Sequence, residues 1–244
     1  MMIAVFSDVH GNVRALQAVL DDIQRLKPDV TLNLGDCVSG PLWPRETCDL
    51  LRSLSIPTVR GNHDRAVGAA GTEQMGASDR FAHERLTSTH RAWLAGLPFQ
   101  LETAEFKCFH ANPRDDMGYL VDEVRDGMLC LADERRISAL LEGPAHPLVL
   151  CGHSHQPRIV RLHTGAVVVN PGSVGCPAYV DPGPPCHRSE TGAPHARYAV
   201  VTTGPRGVRI ESMAIEYDWE DAAATAIANG QPSWAHALRT GYAA

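Results

Sequence analysis

The chain has 244 residues, 44% apolar and 20% charged, which is the composition of an ordinary soluble globular protein with ample core. A formal charge of −6 argues against a nucleic-acid coat protein, and no apolar run approaches the roughly 20 residues of a membrane span. Seven cysteines without a C-x-x-C pair, and a start from Met1 to Phe6 with no basic leader, are read as a cytoplasmic protein with free thiols.

Met2 to Ser7 is a short β-rich run, followed by a helix that Asn12 can cap and that carries Leu16, Val19, Leu20, Ile23 and Leu26 on one stripe. Pro28 ends that helix, Val30 to Leu34 reads as a second strand, and Pro44 opens a helix with Cys48, Leu51 and Leu54 on one face. Thr58 to Arg60 completes a β-α-β-α-β pattern, which implies parallel pairing. A polar stretch from Arg65 then turns helical around Phe81, Leu86, Trp93 and Leu94. Further strands are expected at Phe106 to Phe109, Leu148 to Cys151, Ala166 to Val169, Arg197 to Thr203 and Val208 to Ile215. Cys176 to Pro194, rich in Pro and Gly, reads as an ordered surface loop, and Ala222 to Ala228 as a helix stopped by Gly230. No repeat or boundary interrupts the chain, so residues 1–244 are expected to form one domain with a helical tail over 217–244.

Five polar clusters sit just past predicted strands: Asp8-Val9-His10, Gly35-Asp36, Gly61-Asn62-His63-Asp64, His110 and Gly152-His153-Ser154-His155. In an α/β sheet, ligands bind at the carboxyl ends of the strands, so the clusters should converge. Asp8 and His10 are two apart, as are His153 and His155, and in extended segments each pair would point one way. With Asp36, Asn62 and His110 this makes seven oxygen and nitrogen donors and no thiolate, too many for one tetrahedral zinc and suited to two ions. Asp36 is the natural bridge, giving one carboxylate oxygen to each ion. The mixed donor set favours Mn, Fe, Co, Ni or Zn over Ca or Mg.

These motifs, D-x-H, G-D, G-N-H-[D/E], H and G-H-x-H in that order, resemble the calcineurin-like metallophosphoesterase superfamily, in its small bacterial and archaeal phosphodiesterase branch. The resemblance runs from Met2 to about Ile215 and implies a four-layer α-β-β-α sandwich with two mixed sheets. It implies that Asp8, His10, Asp36 and His155 bind one ion and that Asp36, Asn62, His110 and His153 bind the other. Asn170-Pro171-Gly172-Ser173 resembles the family's loop beside the site. One departure is visible: Ala111 and Asn112 follow His110 where the family usually has Gly, from which a changed loop is expected rather than a lost ligand. The implied chemistry is in-line attack on phosphorus by a hydroxide bridging ions roughly 3.5–4 Å apart. His63 would protonate the leaving oxygen or stabilise charge, and Asp64 would orient it.

Other residues read more plainly. Arg65 and Arg114 lie on loops near the motifs and serve phosphate binding or ordinary salt bridges equally well. Asp115-Asp116 and Asp21-Asp22 read as solvated surface, and His83, His90, His146, His163, His187, His195 and His236 as surface imidazoles. Cys37, Cys108 and Cys151 read as buried inert thiols. The leading expectation is a phosphodiesterase acting on a small phosphoester, with no membrane or stable nucleic-acid partner and with a homo-oligomer as an option. Phosphomonoesterase and dinucleoside-polyphosphate hydrolase are the enzymatic alternatives, and a non-catalytic scaffold the non-enzymatic one.

Overall fold

Alternation along the first strand decides which side of its sheet faces what. In β1 (Met2–Phe6), Ile3 and Val5 point one way and Ala4 and Phe6 the other, and all four are fully buried. The structure is a computed structural model and describes residues 1–71, 73, 75–141, 146–205 and 207–244. From β1 the chain passes through α1 (Val13–Leu26), β2 (Val30–Asn33), α2 (Pro44–Ser53), α3 (Asn62–Gly68), α4 (Ala77–Arg85) and α5 (Ser88–Ala95). Next come β3 (Gln100–Glu102), β4 (Lys107–Phe109), β5 (Asp122–Arg125), β6 (Met128–Leu131), α6 (Glu134–Leu141) and β7 (Leu148–Leu150). β8 (Pro157–Arg161), β9 (Val167–Pro171), β10 (Ala178–Asp181), β11 (His187–Glu190), β12 (Ala196–Gly204) and β13 (Gly207–Ile215) lead to α7 (Trp219–Ala228) and α8 (Pro232–Thr240).

Two mixed sheets, ordered β13-β12-β1-β2 and β3-β4-β7-β9-β8, bury their inner faces together. Ile3, Val5, Leu32 and Val201 of the first share a core with Cys108, Leu148, Leu150 and Val169 of the second. The alternate residues, Ala4, Phe6 and Val200, pack beneath Leu16, Val19, Leu51 and Leu94 of the helices. On the far side, Val149 and Val168 pack against Ile137 of α6. The result is the α-β-β-α sandwich expected. β1 runs parallel to β2, and β4, β7 and β9 run parallel to one another, so each set of carboxyl ends opens along one edge of its sheet.

Three elements differ from expectation. A third sheet, β10-β11-β6-β5, occupies part of the stretch expected as a loop. Its signal is hidden because the alternately buried positions of β11 are His187 and Ser189, not apolar residues. The strand expected at Thr58 to Arg60 is reduced to one parallel bridge, Asn33 to Thr58. Arg60 donates its N–H to Pro98 O (2.7 Å) instead of continuing a ladder. After α7, a second tail helix, α8, opens on Pro232, and Ala222, Ala226, Ala235 and Leu238 pack with Leu42.

The third sheet is tied to the sandwich by a buried charge. Asp122 of β5 is fully buried; it accepts from Arg158 Nε (2.8 Å) and from the Ser154 hydroxyl (2.6 Å). Ser189 of β11 donates to Ser154 O (2.7 Å). Removing the carboxylate would strand a partly buried guanidinium and a buried hydroxyl. Asp122→Ala should therefore lower unfolding stability by roughly 2–3 kcal/mol, read from the denaturant midpoint at constant slope. A change within about 0.5 kcal/mol, the usual range for an inconsequential surface substitution, would show that this tie does not hold the sheet.

Candidate metal centre

The four clusters that follow β1, β2, β4 and β7, together with the one at the start of α3, meet in one place. Their backbone is unusual. Asp8 (φ 57°), His10 (φ 50°), Asp36 (φ 55°), His153 (φ 69°) and His155 (φ 59°) are all left-handed. Such conformations cost a non-glycine residue on the order of 1 kcal/mol or more and cluster at functional sites. The Asp8/His10 and His153/His155 pairs therefore do not converge as an extended strand would make them. Each claw is instead a turn whose alternate residues are left-handed, and that aims the two side chains together.

Close approach explains two of the motif glycines. A Cβ on Gly61 would fall 2.0 Å from Asp36 Oδ1, and one on Gly152 would fall 2.1 Å from Ser7 Oγ. Asn170 donates to Gly152 O (2.8 Å) and to Ser154 Oγ (3.0 Å), and Ser173 donates to Asp8 O (2.8 Å). The loop expected beside the site thus braces both claws. Ala111 is buried, and Asn112 closes the next turn by accepting from the Arg114 and Asp115 N–H groups; His110 stays in place.

The histidine tautomers follow from their carbonyl partners. His10, His110 and His155 donate Nδ1–H to Ser39 O (2.8 Å), Leu34 O (2.7 Å) and Cys176 O (2.7 Å). His153 donates Nε2–H to Met117 O (2.8 Å). In the neutral rings this leaves Nε2 lone pairs on the first three and an Nδ1 lone pair on His153 facing inward. His10 Nε2 lies 3.1 Å from His155 Nε2, and His110 Nε2 lies 3.1 Å from Asn62 Oδ1. Lone pairs facing each other at that range repel unless a cation lies between them.

Two donor groups result, Asp8 with His10 and His155, and Asp36 with His110 and His153, each with its donor atoms within 4.8 Å of one another. Asp8 Oδ1 is buried with no hydrogen-bond partner and lies 3.4 Å from His155 Nε2. Metal bonds of about 2.1 Å would put neighbouring donors roughly 3.0–3.4 Å apart, which the closest spacings match. The residues present therefore fit a pair of ions. Asp36 Oδ2 faces both groups, 3.2 Å from His110 Nε2 and 3.9 Å from His10 Nε2, while Oδ1 accepts from His63 N–H (3.0 Å). Oδ2 is thus the oxygen that faces both groups. Without cations, burial opposes the charge on Asp8 and Asp36, and His155 and His110, which these carboxylates raise above the ordinary imidazole value, hold both carboxyls below the usual range; bound cations would take over that compensation and leave the rings neutral.

His63 is partly exposed at the cavity and its Nδ1 is 2.7 Å from Asp79 Oδ1. Burial alone would lower its pKa, but Asp36 and Asp79 outweigh it and raise the ring to about 9. Asp64, expected to orient His63, does something else. Its carboxylate accepts from the backbone N–H groups of Asp36 (2.8 Å), Cys37 (2.9 Å) and Gly61 (3.0 Å), stapling two motif loops together. Asp79, on α4, is the partner that sequence reasoning missed; nothing in its helical surroundings marks it. Arg65 forms a paired contact to Asp116 (2.6 and 2.9 Å), which is buried rather than solvated, and Arg114 donates to Ala139 O (3.0 Å). Neither arginine lines the cavity.

The family model of the calcineurin-like phosphoesterase superfamily domain matches residues 1–203. The chain is similar to an uncharacterized protein of Methanocaldococcus jannaschii, 28% identical and covering 96% of this chain and 95% of that one. It is similar to the crystal structure of a metallophosphoesterase from Sphaerobacter thermophilus, at 27% identity and TM-score 0.75 over 99% of both chains. A structure of a hypothetical protein from Pyrococcus horikoshii shares the fold at 19% identity, with TM-score 0.77 over 100% of this chain and 99% of that one.

The two aspartates near His63 should separate cleanly. Asp79→Asn should leave metal content intact and lower the turnover rate roughly 10- to 100-fold. Asp64→Ala should lose metal, because the loops carrying Asp36 and Asn62 are no longer stapled. Equal metal loss in both variants, measured by elemental analysis, would contradict the division of roles.

Proposed function

The chain belongs to the calcineurin-like phosphoesterase superfamily, as a metal-dependent hydrolase of phosphoric esters, and from there we propose that it is a phosphodiesterase with a dinuclear centre. The observation that supports the dinuclear centre is that Asp36 Oδ2, in one three-residue donor group with His110, also faces His10 of the other. In this reading Asp8, His10, Asp36 and His155 hold one ion, and Asp36, Asn62, His110 and His153 hold the other. The thiolate-free nitrogen and oxygen set suits Mn, Fe, Co, Ni or Zn. Bound together, two such ions would lower the pKa of the attacking water and polarise the phosphoryl oxygens.

The chain's own groups do the rest. Asn62 sits at the start of α3, so its side chain and that of His63 reach the cavity from one turn. Asp79 holds Nδ1 of His63, which leaves Nε2–H free to give a proton to the leaving oxygen. The contact with Asp79 favours the charged ring. The seven cysteines are all free, which suits a reducing compartment, and we place the protein in the cytoplasm on that ground. Among the described residues no helix is long and apolar enough to cross a membrane. The substrate is a small phosphoester handled within one unit spanning residues 1–244, which the tail helices complete and which a homo-oligomer would leave intact.

The test is to strip the protein of metal, reload it with one metal at a time, and assay bis-p-nitrophenyl phosphate beside p-nitrophenyl phosphate. The expected result is two ions per chain, faster hydrolysis of the diester, and loss of most metal and activity together in Asp36→Asn. A fully loaded protein that hydrolyses neither ester would bring the scaffold reading forward. A monoester preference would reassign the enzyme.

A further inference from the structure

Beside the donor groups, the cavity presents rings and aliphatic surface more than charge. It encloses roughly 820 Å³, the size of a site for a whole organic ligand. Trp234 of α8 stands edge-on to His10, with ring centroids 6.1 Å apart, and Tyr179 of β10 stands edge-on to His155, at 4.7 Å. The two imidazoles are themselves 4.8 Å apart, and α8 lies against β10. Both rings therefore flank the same donor group, the one containing Asp8, from adjacent elements. Val180, Pro182 and Ala237 extend the surface.

The two phenol hydroxyls of this wall are committed. His187 donates Nδ1–H to Pro185 O (2.8 Å), so the Nε2 of its neutral ring accepts from the Tyr119 hydroxyl (2.8 Å). Tyr179 must then donate to the Tyr119 oxygen (2.9 Å). Neither phenol has a proton left for a ligand. What these two phenols offer a ligand is ring surface.

Charge narrows the ligand further. Among the described lining residues the one arginine or lysine is Arg136, whose guanidinium donates to Tyr119 O (2.9 Å), Leu120 O (3.2 Å) and Asp122 O (3.2 Å). Glu123 and Asp181 line the same cavity. A chain of additional phosphates would face those carboxylates, with His63 and the engaged Arg136 as the cationic side chains of the lining. A cationic substituent would be repelled by two divalent ions at close range. An uncharged, flat group meets neither penalty.

Resting on the phosphodiesterase reading, we propose that the ester group retained on phosphorus is an uncharged aromatic ring or a nucleoside base that lies against Trp234 and Tyr179. This assigns Trp234 and Tyr179 to substrate selection, and it selects against dinucleoside polyphosphates.

The test uses manganese-loaded protein and four diesters with one leaving group, p-nitrophenolate. The retained groups are phenyl, thymidin-5′-yl, methyl and choline. One of the two ring esters should exceed the methyl and choline esters in kcat/KM by roughly 10- to 100-fold, the scale of one ring-stacking contact. The faster of the two identifies the source of the ring. Trp234→Leu should bring that ratio toward one, and Trp234→Phe should keep most of it. Calorimetry with the non-hydrolysable phenyl and methyl methylphosphonates should show the same ratio in binding. Methyl or choline esters that match both ring esters, or a ratio that survives in a folded Trp234→Leu, would overturn the proposal. If no ester is hydrolysed, the phosphodiesterase reading fails, and the calorimetric ratio decides this proposal on its own.

Discussion

A carboxylate with almost no access to water, Asp36, lies among imidazoles whose tautomers point lone pairs toward it and toward each other. Burying a charge without compensation is expensive, and burying facing lone pairs adds repulsion. Much of the surrounding construction serves to hold that arrangement. Asp64 accepts from three backbone N–H groups on both loops, and Gly61 leaves the space that the Asp36 carboxylate fills. Five left-handed residues aim their side chains inward at a conformational cost that the fold overcomes. Divalent cations are the compensation this arrangement implies.

The sandwich supplies the place and its additions supply the character. Parallel β1 and β2 and parallel β4, β7 and β9 bring the donors to strand ends. The third sheet and the tail helices contribute Tyr179 and Trp234, which do not belong to the donor groups. The third sheet is tied to the centre through Ser154, which sits between the two histidines of one claw. Ser154 bonds to Asp122 on β5 and, through its carbonyl, to Ser189 on β11. The sheet that carries Tyr179 and the claw that would hold a metal thus share one hydrogen-bond network.

The candidate donors after β1, β2, β4 and β7 were legible in the sequence because each is a polar residue placed where a strand ends, whereas Asn62 begins α3. The local geometry was not. Alternation in a strand and alternation between left-handed residues give the same two-residue spacing, so Asp8 and His10 looked extended. Asp79 was hidden because a single aspartate in a polar helix carries no signal until the helix docks beside His63. β11 was hidden because its buried positions are His187 and Ser189, which satisfy themselves by hydrogen bonds rather than by apolar contact. Arg65 turned out to belong to Asp116, a long-range pair that no local pattern announces.

Anomalous diffraction from crystals grown with manganese tests the central claim most directly. The account predicts two peaks roughly 3.5–4 Å apart, with Asp36 Oδ2 between them. One peak should be bonded to Nε2 of His10 and His155, the other to Nε2 of His110 and Nδ1 of His153. A single peak, or two peaks that leave Asp36 Oδ2 unbonded to one of them, would contradict it.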